Sequence, residues 1–190
     1  MIRILRLKKN SQKLVESDRG ESLEISLDLI KALREETGAG IMDCKRALEQ
    51  AEGDLEGARS LVREKGLNTA AKKAGNVTDE GVVESYIHTG GRVGALIELN
   101  CQTDFVARTK DFKSLARELA MQVAAMSPVY VDSSEVPDDM RDVSPEQDCL
   151  LQQTYIRDNS ITVNDLVNEA IGKLGENVRI RRFSRFVLGE

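Results

Sequence analysis

Thr37-Gly38-Ala39-Gly40-Ile41-Met42-Asp43-Cys44-Lys45-Arg46-Ala47-Leu48 fixes the reading of the first third of the chain, because its glycines separate two helical patterns. Upstream, Ser26 is placed to cap a helix whose Leu27, Ile30 and Leu33 repeat at helical spacing until Gly38 ends it. Downstream, Ile41, Cys44, Ala47, Leu48 and Ala51 form one stripe that Gly53 closes. Asp54 then caps a third helix, with Leu55, Ala58, Leu61 and Val62 ahead of a stop at Gly66. Residues 26–66 therefore predict a three-helix bundle, near the lower size limit for independent stability and suited to recognition.

Leu67 to Asp79 is mostly small or charged, so residues 67–80 read as a linker. Beyond it the period changes. Val82 to His88 alternates as a strand, Gly90-Gly91 makes a hairpin turn, and Val93 to Asn100 is a second, more buried strand. Asp111 to Met126 is an amphipathic helix with Phe112, Leu115, Ala116, Leu119, Val123 and Met126 on one face, stopped by Pro128. Acid-rich residues 132–146 read as loop. Thr162 caps a last helix carrying Val163, Leu166, Val167, Ala170, Ile171 and Leu174 inward up to Gly175, and Val178 to Leu188 forms a final strand. The expected fold class is α+β: a helical bundle, then a core over residues 81–190 with a small antiparallel sheet packed by helices.

Composition narrows the function classes. The chain has 190 residues, 41% hydrophobic and 31% charged, with 4% aromatic and no Trp, a globular balance. Residues 1–13 hold five basic side chains and no acid, which leaves 22 basic against 32 acidic residues in the rest. So acidic a body repels a phosphate backbone and favours a protein partner over nucleic acid. Residues 1–25 read as a disordered extension, with an organelle-targeting remnant as the alternative. Cys44, Cys101 and Cys149 are far apart, and with one His in the chain they suggest neither a disulfide framework nor a metal site. No run is long and apolar enough for a membrane span, and the expected setting is cytoplasmic.

Chemistry is sparse. Gly38-Ala39-Gly40 follows a helix rather than a strand, and Asp43 stands where a dinucleotide fingerprint needs its third glycine. His88 is either a base, which needs an orienting group and a nucleophile that the sequence does not identify, or a polar contact. Arg179-Ile180-Arg181-Arg182-Phe183-Ser184-Arg185-Phe186 suits single-stranded nucleic acid, or else is a strand with its arginines in water. Phe105 follows an apolar strand and precedes a helix that already has Phe112, so it is either a cap on the core or an exposed wedge.

Thr37 to Leu48 resembles the TGAGMMDCKKAL signature of the elongation factor Ts family, with Ile41 for the first Met and Arg46 for the second Lys. Cys101-Gln102-Thr103-Asp104-Phe105-Val106-Ala107 resembles its CQTDFVA signature, and the segments AAKKAGNVTDEG and LGENVRIRRFSRFVLGE are also similar, so the resemblance covers roughly residues 26–190. It implies a non-catalytic guanine nucleotide exchange factor of the short type, with one core half per chain and two copies pairing as a homodimer. The implied partner is the GTPase elongation factor Tu, whose GDP release the factor promotes. A ubiquitin-associated-like bundle would dock through Lys31, Arg34, Ile41, Met42 and Lys45. Thr103, Asp104, Phe105 and Val106 would disturb the partner's magnesium and phosphate site, and His88 is a candidate partner contact. No cofactor or metal of its own is implied. The alternative function is an RNA-binding module using the arginine-rich strand.

Overall fold

A computed structural model describes residues 25–190 except residue 141, so the extension expected over residues 1–25 lies, Ile25 apart, outside the described residues. Three helices open the described chain: α1 (Leu27–Thr37), α2 (Ile41–Gln50) and α3 (Leu55–Lys73). Their ends follow local chemistry. The Ser26 hydroxyl accepts from Leu29 N, Asp54 accepts from Gly57 N at 2.8 Å, and Gly38 (φ +65°) leaves α1 in the left-handed region that suits glycine. Ile30, Leu33, Cys44, Ala47, Leu48 and Ala58 form the bundle's own core. Two stripe positions differ from expectation, since Leu27 and Ile41 are exposed. Each is the first residue of its helix.

The stop at Gly66 and the linker from Leu67 are corrected by α3, which runs on to Lys73 and buries Ala70 in the second core. Leu67, Ala70, Ala71, Lys72 and Lys73 are good helix formers and carry the helix on through Gly66. A Cβ on Gly172 of α7 (Val163–Leu174) would come 3.0 Å from Gly66 Cα, whereas a Cβ on Gly66 would meet only Asn168 O at 3.7 Å. Gly172→Val is therefore expected to lose roughly 1–3 kcal/mol of stability. Gly66→Ala is expected to gain about 0.5–1 kcal/mol from helix propensity. Urea unfolding midpoints of the two variants check the pair. Equal shifts would mean that the helices do not meet at these glycines.

The core is a three-stranded antiparallel sheet in the order β1 (Glu80–Ile87), β2 (Val93–Cys101), β5 (Val178–Val187). On its inner face Ala95, Ile97, Leu99, Cys101, Val178 and Ile180 pack with Phe112, Leu115, Leu119 and Val123 of α5 (Lys110–Met126) and Val163, Val167 and Ile171 of α7. A bulge at Glu98/Leu99 lets Arg181 and Arg182 stand side by side in β5 without turning Ile180 outward. Between α5 and α7 come the one-turn α6 (Pro145–Asp148) and a small hairpin, β3 (Thr154–Tyr155) with β4 (Asp158–Thr162). Buried Gln122 ties the hairpin down, donating to Gln153 Oε1 and Thr154 O and accepting from Ile156 N. Thr162 and Asp165 form the capping box that starts α7.

Candidate functional site

Where β2 ends, the chain makes one helical turn, α4 (Asp104–Ala107), before α5. Thr103 is its cap, with its hydroxyl accepting from Val106 N at 3.4 Å, and Thr109 caps the next helix by accepting from Phe112 N at 3.3 Å. Two capped helices in immediate succession leave little slack. Val106 and Ala107 are buried in the main core, so the turn is anchored on its inner side. Phe105 is on the outer side and 77% exposed, which excludes it as a cap on the core. Asp104 is also exposed, held by Arg108 at 2.8 Å. Of the four residues expected to act here, Val106 is thus an anchor and only Thr103, Asp104 and Phe105 are open to solvent.

The approach to the turn is fixed from two sides. The buried Cys101 thiol donates to Thr103 O at 3.2 Å, and burial first, then the Glu176 charge, pushes its pKa up. It is therefore an inert plug and not a nucleophile. The Glu176 carboxylate accepts from Gln102 N, Thr103 N and the Thr103 hydroxyl at 3.2, 3.1 and 2.7 Å. Nothing local pointed to Glu176. It follows the left-handed Gly175 at the end of α7, more than seventy residues away in sequence.

The bundle carries a second exposed group. Lys31, Arg34, Ile41, Met42 and Lys45 are all exposed, the two apolar ones at 55% and 57%. Leu27, 72% exposed, shares the α1 face of Lys31 and Arg34 at spacings of four and seven, and extends the apolar surface beyond the residues expected from sequence. Among the described residues Lys31 and Lys45 make only peripheral pairs, with Asp28 at 4.0 Å and Glu49 at 3.6 Å. Such pairs hold a side chain weakly and leave its charge available to a partner.

An exposed aromatic on a braced turn and a basic-apolar bundle face are features of a binding protein, and comparison with known proteins says which kind. The family model described as Elongation factor TS matches residues 49–147. The elongation factor Ts of Thermotoga neapolitana is 48% identical over 195 residues, covering 88% of this chain and 99% of its own length. The chain belongs to the elongation factor Ts family. The Thermotoga maritima protein is 49% identical, covering 88% of this chain and 98% of its own length, and that of Carboxydothermus hydrogenoformans is 49% identical, covering 87% and 90%. Membership makes this chain a translation factor with a nucleotide-exchange role.

The remaining sequence candidates fall outside these two groups. His88 lies just beyond β1 at the hairpin tip, where Nδ1 is 3.2 Å from the Tyr86 hydroxyl, and among the described residues no acid hydrogen-bonds to it. In β5, Arg182 makes an exposed pair with Glu98 at 2.7 Å and Arg185 donates to Ala124 O at 3.1 Å, so two of the arginines have partners within the chain. Among the described residues no group of three or more His, Cys, Asp or Glu is placed to hold a metal, and no helix is long and apolar enough to cross a membrane.

Proposed function

We propose that this chain binds GDP-bound elongation factor Tu in the cytoplasm and speeds GDP release, with α1 and α2 supplying docking and Phe105 acting as a wedge at the partner's magnesium and phosphate site. The observation that carries the reading is the exposure of Phe105 on a turn fixed by Thr103, Glu176, Val106 and Cys101. A large apolar ring held in water forgoes roughly 1.5–3 kcal/mol of burial, which a partner surface can recover. Exchange follows from reciprocity: a factor that binds the nucleotide-free GTPase more tightly than the GDP form lowers GDP affinity by the same ratio. Contacts made equally in both states add affinity but no exchange, so the docking face and the wedge have separable roles. Release of fluorescent GDP from elongation factor Tu, followed against the concentration of this protein, tests the reading. A release rate independent of that concentration would reject it.

Docking and wedge differ in their signatures. Lys45→Glu should slow association with elongation factor Tu several-fold at low salt, because long-range charge acts on encounter. Its melting temperature should be unchanged, since Lys45 is exposed and only loosely paired. Association rates measured across salt concentrations check this. A rate equal to that of the unaltered protein at every salt would remove Lys45 from the docking face.

The assembly proposed is a homodimer through the free face of the sheet. Val83, Ile87, Leu96 and Phe186 are exposed there, and the register places Gly94 directly between Ile87 and Phe186. Ile87, Gly94, Leu96, Phe186 and Leu188 border an apolar depression of about 460 Å³. A second copy presents the same face, and two such sheets can stack about 10 Å apart as a sandwich.

A further inference from the structure

Glu176 and its neighbour Asn177 tie together three segments that are remote in sequence. The left-handed Gly175 (φ +72°) ends α7 and brings Glu176 beneath the residues that follow β2. There its carboxylate takes the Gln102 and Thr103 amides on Oε2 and the Thr103 hydroxyl on Oε1. That hydroxyl is also the cap of α4, so the group that starts the Phe105 turn is itself held by Glu176. Asn177, 7% exposed, donates to Ala74 O at 3.3 Å and Asn76 O at 2.9 Å, just past the end of α3. Asn76 in turn donates to Gln102 Oε1 at 3.2 Å and closes the ring. The long helix of the docking bundle and the exposed aromatic thus meet at one pair of side chains.

We propose that Glu176 is a positioning residue for nucleotide exchange, fixing the Gln102–Thr103 turn so that Phe105 is presented at a set place relative to the docking helices. The proposal rests on the reading of Phe105 as the wedge. Glu176 acts through Thr103 and does not itself meet the partner. Hydrogen bonds to an ionised acceptor are stronger than neutral ones, and here two of the three come from backbone amides that a four-residue helix cannot satisfy alone. Without the carboxylate, α4 samples other orientations. The fraction of molecules with Phe105 in the competent one falls, and the rate of the step that needs Phe105 falls with it. Docking through α1 and α2 does not pass through this turn and keeps its affinity.

The test uses the full chain with elongation factor Tu carrying fluorescent GDP, and reads the maximal release rate separately from the half-saturating concentration. Glu176→Ala is expected to lower the maximal rate about ten-fold and leave half-saturation within about two-fold. Glu176→Gln, which keeps one acceptor oxygen, should fall between, and it serves if the alanine variant folds poorly by circular dichroism. In a Phe105→Ala background, Glu176→Ala should change the rate less than about two-fold, because the group it positions is gone. Full activity of Glu176→Ala beside a slow Phe105→Ala overturns the positioning role while leaving the wedge intact. Multiplying losses in the double variant overturn it too, by giving Glu176 a contribution independent of Phe105. Normal exchange by Phe105→Ala rejects the wedge and the positioning role together.

Discussion

Phe105→Ala is expected to slow GDP release from elongation factor Tu by ten-fold or more while moving the melting temperature by no more than about 2 °C. The two halves of that result have different origins. Stability is insensitive because the ring is 77% exposed and its removal opens no cavity. Exchange is sensitive because a contact made in the nucleotide-free state and not in the GDP state enters the rate in full, and about 1.4 kcal/mol of it is ten-fold. Phe112, seven residues later and fully buried, gives the contrast. Phe112→Ala should cost about 3–5 kcal/mol and lower the melting temperature by roughly 10 °C. Stopped-flow release beside thermal melts of both variants distinguishes the cases. A Phe105→Ala protein that melts early yet exchanges normally per folded molecule would make the ring a structural element and end the wedge mechanism.

Local chemistry wrote most of the helix ends into the sequence. Ser26, Asp54 and Thr162 cap as their types predict, Gly38 and Gly175 terminate as expected, and the hydrophobic faces of α5 and α7 follow from period alone except at Met126, the last residue of α5, which is exposed. What failed has a common cause. Gly66 reads as a stop only if its surroundings are ignored, for α3 runs through it and packs there against Gly172, more than a hundred residues later. Leu27 and Ile41 fit the stripes of their helices, but whether a neighbouring helix reaches the first turn is a tertiary fact. The site divides in the same way. The exposure of Phe105 was left open by spacing, since a strand end can turn a large ring either way, and the three bonds from Glu176 that brace its turn have no local signal. The bulge in β5 is intermediate: two consecutive arginines, Arg181 and Arg182, hint at a break in alternation, but only the pairing with Glu98 locates it.

Leu96→Glu is expected to convert the proposed homodimer into a monomer that still folds. Leu96 lies in the central strand of the sheet, between Ser85 and Ser184 on the face away from α5 and α7, and is 44% exposed. The substitution therefore leaves Ile97, Leu99 and the rest of the inner face in place. In a two-fold assembly one change counts twice. Losing the burial of two leucines removes about 3 kcal/mol or more, already over a hundred-fold in dissociation constant, before the desolvation of two opposed carboxylates is added. The Glu98–Arg182 pair on the same face is exposed and cannot offset a loss of that size. Val129→Glu makes the same chemical change at a 63% exposed position beyond the end of α5 and should leave assembly untouched. Sedimentation of the three proteins at micromolar concentration decides the matter. A dimer that persists with Leu96→Glu places the contact elsewhere, and a monomeric unaltered protein removes the sandwich altogether.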